Sequence, residues 1–142
     1  MKKTLYATPQ DAEAAFYEAF TKHDLDAMMS VWADDDEVYC VHPRGPRVTG
    51  VAQVRESWRQ IFANAQNLRF QVRRQHVVQA MMVSVHSVYE QITLAEETQG
   101  RRCILATNIY TRTDRGWRMM AHHASPAPDI EDGEARRSKT LH

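Results

Sequence analysis

The side chains best suited to move a proton or hold a ligand gather late in this chain of 142 residues. His122 and His123 stand side by side after Arg118-Met119-Met120-Ala121, and imidazole titrates near neutral pH without special tuning. Neighbours on a strand point to opposite faces, so the two cannot share one cavity or one metal ion. His42 ends the apolar run that starts at Glu37 and sits directly before Pro43. Asn108 and Tyr110 share the parity of Ala106, and both can donate a hydrogen bond to a ligand carbonyl. A network that fixes the sheet internally is an equal reading of that pair. Trp32, Tyr39 and Trp58 can line a cavity, although aromatic residues at such spacing are more often plain core.

Carboxylates are scarce where chemistry would need them. No Asp occurs between Leu68 and Thr113 or between Trp117 and Ser125. Glu90 is the one mid-strand acid available. It shares parity with His86, Val88 and Ile92, and an exposed or salt-bridged glutamate is the common outcome. His42, His123 and Glu90 would suit zinc or iron by type. Their spacing matches no metal motif, so neither metal nor cofactor is expected.

These residues must be positioned by regular elements. Thr8 can cap a helix with Pro9 in its first turn and Asp11 against its dipole. Ala12, Ala15, Phe16, Ala19 and Phe20 then form one apolar stripe ending near Lys22. Asp24 caps a second helix with Leu25, Met28, Met29 and Trp32 on its face. Asp34-Asp35-Asp36 reads as a solvated connector. Glu37 to His42 has strand composition, Arg44 to Arg47 reads as a loop, and Thr49-Gly50 opens a third helix bearing Val54, Trp58, Ile61 and Phe62. From Leu68 the period changes from 3.6 to 2. Four antiparallel strands follow: 68–79, 83–94, 101–113 and 117–125, with Asp114-Arg115-Gly116 as a hairpin loop and Pro126 as the stop. The fold class is therefore α+β, one domain over residues 1–126 with a charged, mobile tail over 127–142. The late strands are apolar on both parities, Ile104/Ala106/Tyr110 against Cys103/Leu105/Ile109. Helices cover one face, and a homodimer through the other face is the expected second cover.

Bulk properties narrow the partners. Lys+Arg and Asp+Glu are 18 each, so no global field draws the chain to nucleic acid or an anionic membrane. No apolar run approaches a membrane span, and the start lacks the apolar core of a signal peptide. The expectation is a cytoplasmic protein whose Cys40 and Cys103 are buried, reduced thiols.

Several separate segments resemble the NTF2-like superfamily, specifically its SnoaL-like branch: Ala15-Phe16 through Trp32, Tyr39-Cys40-Val41-His42-Pro43, Gly50 through Trp58, Thr107-Asn108-Ile109-Tyr110, and Gly116-Trp117-Arg118 running to His123-Ala124-Ser125-Pro126. The resemblance implies a curved sheet wrapped around helices as a cone, an apolar pocket inside, and pairing through the sheets. It also favours His123 as the pocket histidine. The superfamily holds ketosteroid isomerases, polyketide cyclases, dehydratases, a transport factor and kinase association domains, so it does not name a reaction. The pocket Asp of the isomerase and cyclase branches has no counterpart on any strand here. Three readings follow. The first is a pocket for a small, apolar or aromatic molecule, contacted by some of His42, Asn108, Tyr110 and His123. The second is a cofactor-free lyase, isomerase or cyclase with His123 or His42 as base. The third is an association domain without catalysis.

Overall fold

A computed structural model of the chain describes residues 5–64, 68–94, 101–128 and 130. Helix α1 (Pro9–Lys22) begins where Thr8 accepts from the Asp11 N–H and closes on His23 in the left-handed region, φ 55°. Helix α2 (Leu25–Val31) is capped by Asp24, whose side chain accepts from the Ala27 N–H. Helix α3 (Val51–Ala63) has no side-chain cap. Gly50 at φ +84° turns the chain into it instead, a conformation that glycine adopts without a Cβ penalty.

The strands are β1 (Tyr39–Val41), β2 (Arg47–Thr49), β3 (Leu68–Gln79), β4 (Val83–Leu94), β5 (Arg101–Thr113) and β6 (Gly116–Ala127). They form one sheet in the order β2-β1-β6-β5-β4-β3 among the described residues. Strands β3 to β6 are the expected antiparallel meander. The addition is β2, part of which reads as loop in the sequence: three residues pair antiparallel with β1. Strand β1 then runs parallel to β6 in the register Tyr39↔Ala121, Cys40↔His122, Val41↔His123. So the first strand, far off in sequence, lies directly against the His-His pair.

Pro126 does not stop β6, because Ile104 still pairs with Pro126 and Cys103 with Ala127. The β1 ladder has ended by Val41↔His123, which leaves Pro126 on an open edge where its missing N–H breaks no ladder. Beyond it, Ile130 is buried, while the rest of the expected tail, residues 129 and 131–142, lies outside the described residues. Register shifts interrupt β3 between Arg73 and His76 and the β5–β6 pairing between Ile109 and Tyr110. Such bulges bend a strand and raise its twist, which curves the sheet over the helices.

Gly116 is fixed by close approach. It sits at φ +88°, and a Cβ there would lie 2.5 Å from the Tyr6 carbonyl oxygen. That carbonyl accepts from the Trp117 N–H at 2.8 Å, tying the chain's start to the last hairpin.

The core lies between the helices and the concave sheet face. Phe16, Trp58, Met28, Val54, Val88, Ala106, Tyr110 and Met119 are all fully buried. Phe20 lies tilted against Phe70 with ring centroids 4.3 Å apart and edge-on to Trp58 at 4.9 Å, and Phe16 meets Trp58 edge-on at 5.5 Å. Full burial of such a ring is worth about 1.5–3 kcal/mol, and the half-buried Phe20 and Phe70 contribute less. Together they hold α1 and α3 on the sheet.

Candidate functional site

Even-numbered residues of β4 and β5 point to the helices: Ser84, His86, Val88 and Glu90 on one, Ile104, Ala106, Asn108 and Tyr110 on the other, all buried. Across β6 the pairing Asn108↔His122 places His122 on that same face. His122 is 1% exposed, whereas His123 is exposed on the outer face beside Thr107. The sequence expectation for the pocket histidine is corrected accordingly. The inward histidine is the one paired with Asn108, and parity along β6 could not reveal this because a bulge separates His122 from Met119 and Trp117.

A cavity of about 250 Å³ opens between α1, α3 and the sheet, lined by Phe20, Pro43, Ile61, Ile92, Ile104 and Ala124 with His42, Glu90, Arg102 and His122 as its polar members. A dry cavity of about 150 Å³ suffices for a benzene ring, so this one has room for a substituted ring. Of the residues expected from sequence to contact a ligand, only His42 lines it, joined by Glu90 and His122, which the sequence offered without a pocket role. Trp58 stands one layer behind, its ring 4.7 Å from that of His42 and 5.8 Å from that of His122. Trp32 is buried core, bridged to Met119. Tyr39 is half-buried on β1. His42 and His123 do not meet, and the histidine ring beside His42 is that of His122 at 6.3 Å.

Asn108 and Tyr110 belong to a buried polar network behind the cavity. His122 Nδ1 lies 2.6 Å from Asn108 Oδ1. Asn108 Nδ2 donates to Tyr17 Oη at 3.0 Å and to Glu13 Oε2 at 3.2 Å. Tyr17 in turn donates to Glu90 Oε2 at 2.7 Å. Tyr110 donates to Glu13 Oε2 at 3.0 Å. His86 Nδ1 sits 3.1 Å from the same oxygen, a close electrostatic contact without hydrogen-bond alignment, while its Nε2 is 2.8 Å from Ser84 Oγ. Ser84, His86 and Glu13 have the order of a charge relay, but both Ser84 and His86 are fully buried and the cavity does not reach them. They act as scaffold. Glu13 and Tyr17 were legible as one helical turn, i and i+4, yet they fall beside the apolar stripe rather than in it.

Electrostatics divides the polar lining. Burial raises the Glu90 carboxyl to about 7, with Glu13 adding to the rise and the Tyr17 hydrogen bond opposing it. Burial lowers His42 to about 4. It lowers His122 to about 3, with help from His42 and His123. Burial also pushes the Cys40 thiol and the Tyr17 and Tyr110 phenols well up. Near pH 7 both histidines are therefore neutral, and the group poised to gain or lose a proton is Glu90. The expectation of an exposed or salt-bridged Glu90 is corrected, since it is 2% exposed and its described partner is a phenol. Cys40, 3.6 Å from His42 Nε2, is held as an inert thiol.

His42 is fixed from α3. Its Nε2 lies 3.0 Å from Ser57 Oγ, and Ser57 donates its one hydrogen to the Val54 carbonyl at 2.7 Å. The serine must therefore accept, and His42 spends its N–H on it. Among the described residues no three His, Cys, Asp or Glu side chains cluster as metal ligands would, and no helix is long and apolar enough to cross a membrane.

Comparison with known proteins agrees with this geometry. The SnoaL-like domain family model matches residues 10–129. A solved structure from Thiobacillus denitrificans, described as a calcium/calmodulin-dependent protein kinase type II association domain, is 44% identical with a TM-score of 0.84, covering 87% of this chain and 98% of that one. One from Streptomyces avermitilis, described as a dehydratase of the NTF2-like family, is 31% identical with a TM-score of 0.74, covering 83% and 92%. The F-box protein SKIP8 of Arabidopsis thaliana is 27% identical over 126 residues, which is 87% of this chain and 52% of that protein, so the chain spans about half the length of that relative. The match over residues 10–129, together with helices packed on a curved, open sheet, identifies the chain as a member of the SnoaL-like domain family with the NTF2-like fold.

Proposed function

We propose that the chain binds a small, largely apolar molecule in the cavity between α1, α3 and the sheet, with Glu90 and His122 as its inner polar contacts. The carrying observation is the lining itself: six apolar residues and a few converging polar ones around about 250 Å³, the composition of ligand sites generally. A second reading is proton transfer, favoured by a buried Glu90 raised to about 7, where an acid–base group is most effective at neutral pH. On that reading Glu90, not a histidine, moves the proton.

Calorimetric titration with single-ring aromatics tests the first reading. Binding should be lost in an Ala124→Trp variant, whose indole fills the cavity, with folding checked by circular dichroism. Equal binding by that variant would place the ligand elsewhere. Deuterium uptake at a carbon of any bound carbonyl compound, abolished by Glu90→Gln, separates the second reading from the first.

Two copies pairing through the outer sheet face complete the proposal. Tyr89, Leu105 and Ile109 lie half-buried on that face and Val85 is 36% exposed, more apolar surface than a solvated face needs. A relative described as an association domain supports this. Native mass spectrometry should find a dimer that Leu105→Arg converts to monomer; a monomeric parent would end the idea.

A further inference from the structure

The buried network carries directional information about what the cavity can hold, and the inference drawn from it rests on the binding reading above. Glu13 faces Asn108 with a carboxylate oxygen 3.2 Å away, and a carboxylate accepts only. The amide nitrogen of Asn108 must therefore point at Glu13 and Tyr17, and its oxygen at His122. The Tyr17 hydroxyl, receiving that amide N–H, must send its own hydrogen to Glu90. With Asn108 Oδ1 as the acceptor 2.6 Å away, His122 Nδ1 must carry the ring proton. A neutral imidazole has one N–H, so His122 Nε2 is left as a bare lone pair. No described residue hydrogen-bonds that nitrogen, and His122 lines the cavity. His42 does not compensate, because its N–H is used on Ser57. Neither histidine offers the cavity a donor.

We infer that the cavity selects a ligand carrying a hydrogen-bond donor, an aromatic or aliphatic hydroxyl or an N–H, which it presents to His122 Nε2, and that Asn108 is the positioning residue that locks this histidine as an acceptor. An apolar body fits the Phe20, Ile61, Ile92 and Ile104 walls. A ketone or ether at the same place would set oxygen lone pairs against the nitrogen lone pair.

The test uses matched probes, para-cresol and its methyl ether, with the intact chain. Para-cresol should bind about tenfold more tightly, the effect of one hydrogen bond to a desolvated acceptor, and His122→Phe should erase that preference. Nitrogen-15 spectra of histidine-labelled protein should show His122 with a protonated Nδ1 and an unprotonated Nε2 at neutral pH, and Asn108→Leu should admit the other tautomer. Equal or tighter binding of the ether, or a protonated Nε2 in the parent chain, overturns the inference. If neither probe binds while the spectra show the locked tautomer, the binding reading fails and takes the ligand inference with it. If both probes bind equally, the binding reading stands and the inference alone falls.

Discussion

A Glu13→Leu variant should lose about 2–4 kcal/mol of folding stability, read as a lowered urea midpoint at unchanged slope. Glu13 is 6% exposed, and its Oε2 alone meets Tyr110 Oη at 3.0 Å, Asn108 Nδ2 at 3.2 Å and His86 Nδ1 at 3.1 Å. Leucine matches the bulk but accepts nothing. The phenol and the amide would each be stranded at a cost of about 1–3 kcal/mol, and partial rotation of Tyr110 limits the sum. Damage should spread further, because Asn108 loses the contact that orients it and His122 loses its fixed partner. Glu18, one turn on and across the helix, is the control. Its ion pair with Lys22 at 2.7 Å is exposed, and Glu18→Leu should leave the urea midpoint nearly unchanged. A similarly small loss for Glu13→Leu would mean that water replaces the carboxylate and that the network is not a structural unit.

That contrast shows what the sequence discloses and what it withholds. Glu13 and Glu18 lie on the same helix with similar neighbours, and helical periodicity alone does not rank them. Periodicity does locate α1, α2, α3 and the four long strands, since apolar spacing and caps are local signals. It misses β2, whose three residues are strand only because β1 lies beside them. Non-local register decides the site as well. His122 turns inward because Asn108 stands opposite it and a bulge resets parity between Ile109 and Tyr110. Family resemblance pointed to the neighbouring histidine, and only the strand pairing could choose between them. Glu90 shows the same limit from the other side. Its parity was legible, but whether that parity faced helices or solvent depends on the sheet's curvature. Buried acids are uncommon enough that the ordinary expectation was exposure.

Glu90→Gln should change how stability depends on pH, and the sign follows from its raised carboxyl. The folded value is about 7 against an ordinary 4.5. Below about pH 4.5 the carboxyl is neutral in both states and costs nothing. Between there and pH 7 the unfolded chain ionises while the folded one stays protonated, so folding stability falls as pH rises. Above pH 7 the penalty is constant at about 3 kcal/mol. His42 and His122 slope the other way. Their folded values of about 4 and about 3, against 6.5 unfolded, mean that their contribution is complete above pH 6.5 and is lost as pH falls through 4 and then 3. In the parent the two trends overlap and partly cancel between pH 4.5 and 6.5, so its profile alone would not reveal Glu90. Subtracting the variant's profile removes the histidines, because the His42 shift arises from burial and the His122 shift from burial, His42 and His123, neither from Glu90. Glutamine keeps an oxygen for the Tyr17 hydroxyl. Parent minus variant, from urea melts at each pH, should therefore drop by about 3 kcal/mol between pH 4.5 and 7 and be level on either side. A level difference throughout would mean that Glu90 ionises as an ordinary carboxylate. The cavity would then be wet at its inner end, and proton transfer would lose its one suitable group, since both histidines titrate too low to serve near pH 7.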